Sequence, residues 1–182
     1  MSQNETFEEI IEVVLEHEGG YVDDPDDRGG ATNFGVIQRT YQDYINKYDD
    51  GHEVTKQEMK DMDVEDAKDV YLNLFWRPSK ASKLPAEVRE VYFDMVVNHG
   101  QGNAVKILQQ ACNNKRKPAN HIDVDGGIGP NTIKAASTLK EWELMVERSG
   151  FYWNLVFDGA RYTKRTSQVK FIRGWIRRCF KL

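Results

Sequence analysis

The stretch EHEGGYVDDPDDRGGATNFG, residues 16–35, holds six carboxylates and five glycines. Glycine pairs on both sides of the aspartates disfavour a continuous helix, and the density of charge suits neither a strand nor a core. Two interpretations are open: a solvated acidic turn, or a site in which one acid does chemistry while its neighbours hold water or substrate. In both, the stretch separates a first helix from everything that follows, and it decides the architecture around it.

Helical periodicity dominates the rest of the chain. Thr6 is predicted to cap a first helix that ends at Gly19-Gly20. Further helices are predicted over TNFGVIQRTYQDYINKY, TKQEMKDM with a Thr55–Glu58 capping box, VEDAKDVYLNLFW after the cap Asp63 and before Pro78, PAEVREVYFDMVVNHG, NAVKILQQACN, NTIKAASTLK, WELMVERSGFYWNLVF and SQVKFIRGWIRRCF. Strand signals favour only a short hairpin around residues 21–35. The predicted fold class is mainly α, a helical bundle around a cleft with a small irregular or β-hairpin element near residues 21–35.

The bulk composition is that of an ordinary soluble globular protein, with 182 residues that suit one compact domain or two small ones. No apolar run approaches the roughly 18 residues of a membrane span, and MSQNETFEEIIEVV lacks the features of a secretory signal. We therefore expect a protein that stays in the cytoplasm that made it, or leaves by a route the sequence does not encode. Cys112 and Cys179 are expected to be free thiols rather than a disulfide.

Charge is unevenly distributed along the chain. Residues 1–91 hold 22 acidic and 10 basic side chains, a balance of −12, whereas residues 92–182 hold 7 acidic and 15 basic, a balance of +8. No acid follows Asp158, while eight lysines and arginines do. Such a tail favours an anionic surface such as nucleic acid, phospholipid or bacterial envelope; alternatively, it packs against the acidic half of the same chain.

Glu18 stands out within the acidic stretch. Steps of three and four residues place it on the same helical stripe as Ile11 and Val14, where an apolar residue is expected. Partial burial and the negative end of the helix dipole would both raise the pKa of its carboxyl group, which suits a general acid. The alternative is a frayed last turn with Glu18 in water.

The loop after Glu18 offers the second carboxylate that glycoside hydrolysis commonly requires. Its aspartates are Asp23, Asp24, Asp26 and Asp27, and Thr32 supplies a hydroxyl that could hold a water beside the reacting carbon. A calcium loop is excluded by its ligand positions, because a start at Asp24 puts Arg28 at position 5 and a start at Asp123 puts Lys134 at position 12. The histidines form no ligand-spaced zinc pair. No metal and no cofactor is therefore expected.

The run EGGYVDDPDDRGGATNFGV closely resembles the N-terminal signature of glycoside hydrolase family 108, whose members are peptidoglycan-cleaving N-acetylmuramidases of phage endolysins and bacteria. VTKQEMKDMDVEDAKDVYLNLFW resembles the family's next block. The run from VYFDMVVNHGQGNAVKILQQACN through DVDGGIGPNTIKAA to FIRGWIRRCF is similar to the predicted peptidoglycan-binding segment that follows. The resemblance implies a lysozyme-like α+β catalytic segment over residues 1–91 and a helical peptidoglycan-binding segment over residues 92–182, packed as one globular unit.

The resemblance also implies site residues. Glu18 takes the general-acid position for cleavage of the β-1,4 bond between N-acetylmuramic acid and N-acetylglucosamine. Asp27 is implied as base or stabiliser, with Asp26 as its alternative, and Thr32 as the residue that positions water. An Asp27 that activates water gives inversion, whereas one that attacks or stabilises does not.

Five further residues are candidates for binding the glycan. Tyr21 and Gln38 are expected to line the cleft, with packing on the first helix and solvation as their respective alternatives. Tyr71 and Trp76 would stack on sugar rings, although aromatics at helical spacing are more often core. Asn98 would hydrogen-bond an acetamido group, or else cap its helix.

The expected partner is therefore peptidoglycan, hydrolysed by a monomeric endolysin-type enzyme that waits in the host cytoplasm before it reaches the murein and lyses the cell. Electrostatic contact with the anionic envelope is expected, and nucleic acid is not. A lytic transglycosylase acting on the same bond and a non-catalytic wall-binding or export-helper protein are the alternatives.

Overall fold

The computed structural model describes residues 3–16, 19–23, 30–158, 161–162 and 169–180. The fold is mainly α with small β hairpins, as the sequence predicts. The chain divides into two compact units, Met1–Ser82 and Lys83–Leu182. The assignment of residues 1–91 to catalysis and 92–182 to peptidoglycan binding stays a prediction. None of the helices described is both long enough and apolar enough to cross a bilayer.

The first unit opens with helix α1, which spans Gln3–Glu16. Strands β1 (Thr32–Asn33) and β2 (Val36–Ile37) follow, and then come α2 (Gln38–Tyr48), α3 (Lys56–Asp61), α4 (Val64–Val70), a π-helix (Tyr71–Trp76) and the short α5 (Arg77–Ser79). Phe7, Ile10, Ile11 and Val14 of α1 are all buried, as their spacing predicts. The predicted cap is wrong, because Thr6 lies inside α1 and is itself buried.

The predicted helix over residues 32–48 is wrong in its first six residues, which form a hairpin. β1 and β2 pair antiparallel around Phe34 and Gly35, whose φ values are 47° and 75°. Two successive residues in the left-handed region make the turn that best matches the twist of a two-residue hairpin. An isolated bridge between Val22 and Thr32 adds to it, so the predicted β element near residues 21–35 is present.

Capping decides where α3 and α4 begin. The Thr55 side chain accepts from the backbone N–H of Glu58, whose carboxylate accepts from Thr55 in return, so the predicted capping box is confirmed. Asp63 caps α4 through the same reciprocal pattern with Asp66. Each box satisfies amide donors that a helix start leaves without internal partners.

The prediction that the helix ends before Pro78 is wrong. The helical chain continues from α4 as a π-helix through Trp76, and Pro78 falls in the first turn of α5. The run ends at Lys80, which takes a left-handed φ of 54°.

The second unit is a set of packed helices. Its elements are α6 (Ala86–His99), α7 (Gln101–Asn114), α8 (Pro130–Ala136), α9 (Glu141–Val156), β3 (Phe157–Asp158), β4 (Arg161–Tyr162) and α10 (Val169–Phe180), with a 3-10 turn at Pro118–Asn120. A further 3-10 turn, Ala81–Lys83, lies at the boundary between the two units in the sequence. α6, α7 and α9 pack on one another, and α10 packs on α9. The paired strands β3 and β4 were not predicted from the sequence, because they are too short to produce an alternating pattern of apolar and polar residues. Cys112 and Cys179 are buried and form no disulfide.

Candidate active site

The acidic stretch supplies the predicted catalytic residues, and the structure describes part of it. Glu18 and Asp27 lie outside the described residues, as do Asp24 and Asp26. Thr32 is described and opens β1. The catalytic roles of Glu18, Asp27 and Thr32 therefore stay predictions, and the structure contributes the framework on either side of the acidic loop.

Thr32 is bound to the chain that precedes the loop. Its backbone N–H donates to the carbonyl of Val22, and the N–H of Val22 donates to the carbonyl of Thr32, both at 2.8 Å. This pair of hydrogen bonds holds Val22 beside Thr32, one on each side of the acidic residues 23–27. Thr32, which is half-buried, is therefore fixed to the chain that precedes these acids.

Asp23, which directly precedes the acidic loop, forms an ion pair with Lys56 of α3. Its two carboxylate oxygens lie 3.0 and 2.9 Å from Nζ of Lys56, and this hydrogen-bonded contact raises the pKa of Lys56. Tyr21, the predicted cleft residue, is half-buried close to this pair. Asp23 is therefore committed to an ion pair and is a poor candidate for the second catalytic carboxylate.

Gln38 is hydrogen-bonded to Ala31, which follows the acidic loop, and to Val54. Its backbone N–H donates to the carbonyl of Ala31 at 2.8 Å, and its side-chain Nε2 donates to the carbonyl of Val54 at 2.7 Å. A Cβ added at Gly30 would lie 3.3 Å from Oε1 of Gln38. Gln38 therefore supports the residues that follow the loop, and it is not the solvated side chain that was its alternative.

Asn33 is the site residue that the sequence did not single out. It is buried, and its Nδ2 donates to the carbonyls of Met59 at 2.9 Å and Met62 at 3.2 Å. These carbonyls belong to the end of α3, where helix geometry leaves acceptors without internal donors. Asn33 thereby fixes the hairpin, and with it Thr32, to α3. The signal in the sequence was the polar residue ahead of the Phe34-Gly35 turn.

Tyr71 and Trp76 were candidates for stacking on sugar rings, with core packing as the alternative. The structure places both in the core. They are 2% and 3% exposed, so neither ring presents a face to a sugar. The Tyr71 hydroxyl donates to the carbonyl of Phe34 at 3.2 Å, and the Trp76 ring lies 5.5 Å from that of Phe7. The hydroxyl of Tyr71 therefore helps to hold the turn of the β1–β2 hairpin in place.

Asn98 lies in the second unit, on α6. Its Nδ2 donates to the backbone carbonyl of Asp94 at 2.8 Å and to Oδ1 of Asp94 at 3.0 Å. Asp94 also pairs with Arg148 of α9, whose Nε donates to Nε2 of His99 at 3.2 Å. Asn98 thus adjoins a polar contact between α6 and α9, and its predicted role in binding an acetamido group stays a prediction.

Among the described residues, Asp49, Asp50 and His52 bring three potential metal-ligand atoms within 4.8 Å of one another. Both ring nitrogens of His52 are already occupied, by Oδ1 of Asp50 and Oε1 of Glu58, each at 2.6 Å. These hydrogen bonds raise the pKa of His52. Because carboxylate oxygens engage both ring nitrogens of His52, neither nitrogen is available to a metal ion in this arrangement.

Comparison with known proteins adds family information. The model of glycosyl hydrolase 108 matches residues 11–100, and that of a predicted peptidoglycan domain matches residues 103–180. A solved structure of Brucella abortus SagA is 28% identical, with a TM-score of 0.74 over 98% of this chain and 91% of that one. No curated protein matches the sequence.

Proposed function

The chain belongs to glycosyl hydrolase family 108, and we propose that it is an N-acetylmuramidase that hydrolyses the β-1,4 bond between N-acetylmuramic acid and N-acetylglucosamine. The coarser activity is that of a glycoside hydrolase acting on peptidoglycan. One observation supports the finer proposal: Val22 and Thr32 pair on either side of the acidic stretch in a chain that matches the family over residues 11–100.

In the proposed reaction, Glu18 donates its proton to the glycosidic oxygen as the bond from that oxygen to the anomeric carbon breaks. Positive charge develops on the sugar ring and is stabilised by the ionised Asp27. A water held by Thr32 adds its hydroxyl group to the anomeric carbon and passes its other proton to Asp27, where Asp27 acts as the base, or to the carboxylate of Glu18; proton exchange with solvent restores the starting state. The products are a new reducing end and a free hydroxyl on the leaving sugar.

Replacement of the general acid tests the proposal. Glu18→Gln is expected to lower the clearing rate of purified peptidoglycan by about 10²- to 10⁴-fold, the usual contribution of general acid catalysis. Glu12→Gln, an exposed position on α1, is the matched control and should keep full activity. Equal clearing by wild type and Glu18→Gln, with unchanged circular dichroism, would overturn the assignment.

The products separate hydrolysis from its alternative on the same bond. A lytic transglycosylase leaves an anhydro sugar, whereas a hydrolase leaves a reducing end that is heavier by one water. Mass spectrometry of the released muropeptides is expected to find reducing ends. Anhydro products alone would reassign the reaction while leaving Glu18 as its acid.

The peptidoglycan domain favours a second candidate, a non-catalytic wall-binding or export-helper protein. Such a protein would sediment with insoluble peptidoglycan without releasing soluble fragments. The muramidase proposal predicts release by wild type and retained sedimentation by Glu18→Gln. Sedimentation without release by both proteins would favour the binding function instead.

The basic residues that follow Asp158 support a further proposal, that the protein is attracted electrostatically to the anionic bacterial envelope. Lys170, Arg173 and Arg177 are exposed along α10. Attraction between these side chains and an anionic surface should weaken as salt screens it. Binding to anionic vesicles that does not fall with salt would contradict this role.

A further inference from the structure

A pocket of about 520 Å³ lies in the second unit, between α7, the start of α8 and the loop DVDGGIG at residues 123–129. Its volume is in the range of small-ligand sites. The lining combines carboxylates, Asn131 and His121 with the apolar side chains of Ile122 and Ile128. The proposed catalytic chemistry uses none of these residues.

The pocket is preformed, because α7 holds its loop at two points. Buried Gln109 donates from Nε2 to Oδ1 of Asp125 at 2.8 Å and to the carbonyl of Gly127 at 3.1 Å, while its Oε1 accepts from the N–H of Gly126 at 3.0 Å. One turn further along α7, Asn113 exchanges two hydrogen bonds with the backbone of Ile122, at 2.8 and 2.9 Å.

Close packing keeps the loop against α7. Gly126 has a φ of 81°, and a Cβ added there would lie 3.1 Å from the backbone carbonyl oxygen of Gly102. Only glycine fits this approach without strain. The loop therefore offers a fixed surface, and a ligand would pay little conformational entropy to order it.

The negative charge of the pocket favours a cationic ligand. Asp123 and Asp125 line it, and no lysine or arginine of the described chain does. Hydrogen bonds from Gln109 and from the N–H of Gly127 hold the pKa of Asp125 below its usual value, so this carboxylate is ionised at neutral pH. Asp123 has no hydrogen-bond partner among the described residues, which leaves its oxygens available. Two exposed carboxylates beside apolar side chains suit an ammonium group on an aliphatic stem.

We propose that this pocket is a peptide subsite, in which Asp123 and Asp125 bind the free side-chain ammonium of the diamino acid in a peptidoglycan stem peptide. The proposal rests on the proposed function, since it divides recognition of one polymer between the two units: the first acts on glycan, and the second binds the peptide. A glycan or a bare cation in the pocket would contradict it.

Titration of the ¹⁵N-labelled full chain tests the site. The probe is the tripeptide L-Ala-γ-D-Glu-diaminopimelate, and its control is the same peptide acetylated on the side-chain amine. The free peptide is expected to shift the amides of Gly126, Gly127 and Gly129, and acetylation should weaken binding by about tenfold or more, because it removes the charge-assisted hydrogen bonds. Equal affinity for both peptides, or no shift at these glycines, would overturn the proposal.

Variants and alternative probes complete the test. Asp123→Asn should weaken binding of the free peptide by about tenfold, whereas Asp43→Asn, the same change at an exposed position of α2, should not. Unchanged binding by Asp123→Asn would overturn the proposal, and so would saturation of these amides by calcium or by a peptide-free chitin oligosaccharide.

Cleavage of peptide-free glycan separates this inference from the proposed function. Peptide binding by a chain that cleaves no glycan would leave the subsite in place and refute the muramidase. Glycan cleavage with no peptide binding would support the muramidase and refute the peptide subsite.

Discussion

The side chain of Asn33 donates a 2.9 Å hydrogen bond to the backbone carbonyl of Met59, and so joins the β1–β2 hairpin to the end of α3. Thr32 precedes Asn33 directly, so the proposed water-positioning hydroxyl depends on this attachment. Removal of the amide would leave two buried carbonyls without donors, those of Met59 and Met62.

Asn33→Ala is therefore expected to lower the free energy of unfolding by about 2–4 kcal/mol and to reduce peptidoglycan hydrolysis. Urea denaturation measures the first effect and a clearing assay the second. Gln57→Ala is the control, because its amide makes only an exposed contact with Asp61 and should cost less than about 0.5 kcal/mol. Equal costs for the two variants would mean that the buried attachment contributes nothing.

Two glycines of the second unit should respond oppositely to alanine. Neither Gly100 nor Gly150 has a neighbour within 4 Å of an added Cβ, but Gly100 has a φ of 76° and a ψ of 152°. Gly100→Ala should cost about 1–3 kcal/mol, because this region is essentially restricted to glycine. Gly150→Ala, inside α9, should stabilise by about 0.5–1 kcal/mol. Thermal unfolding of both variants measures the signs, and a shared sign would refute the backbone argument.

The His52 cluster makes stability depend on pH. Hydrogen bonds to Asp50, and then to Glu58, raise the pKa of His52 above its ordinary 6.5. Its contribution is therefore fully present below pH 6.5 and is lost as the pH rises through the raised pKa of the folded state. His52→Gln should lower Tm at pH 5.5 and have no such effect at pH 9.

The partner of this histidine titrates in the opposite direction. The N–H of Thr55, its hydroxyl and then His52 lower the pKa of Glu58 to about 2. Its contribution is present above pH 4.5 and is lost as the pH falls towards 2. Glu58→Gln retains a capping side chain but should bring the pKa of His52 down, as an NMR titration would record. An unchanged His52 pKa would contradict the cluster.

The Asp94–Arg148 pair should matter far more than an exposed one. The side chain of Arg148 is 3% exposed, so Arg148→Ala leaves the partly buried Asp94 carboxylate uncompensated, at a cost of about 3 kcal/mol or more. Lys140→Met, which breaks the exposed pair with Glu87, should cost less than about 1 kcal/mol. Urea denaturation compares them. Recovery by Asp94→Asn combined with Arg148→Met would attribute the loss to the unpaired charge.

Local signals in the sequence predicted the parts of the fold that depend on local chemistry. The capping box at Thr55, the cap at Asp63 and the glycine after α6 all stand where they were expected, because each is satisfied by hydrogen bonds or a φ value within a few residues. Most of the helical segments were predicted for the same reason. The acidic loop was identified as the candidate site from its composition and its family signature.

The errors fall where distant contacts outweigh local preference. TNFGVI has the apolar spacing of a helix start, yet Phe34 takes a left-handed φ, and its carbonyl accepts from Tyr71, 37 positions away. Tyr71 and Trp76 were candidates for sugar stacking because helical spacing alone does not tell a core face from a cleft face. Their burial depends on what packs against them.

The sequence by itself determined the helical class, the caps of α3 and α4 and the family, since all of these depend on residue type and spacing. Only the tertiary structure decided how the base of the loop is held. Val22 lies beside Thr32, Asn33 reaches α3, and Gln109 shapes a pocket in the second unit. Each of these contacts is a hydrogen bond between groups far apart in the chain, and no local pattern specifies such a partner.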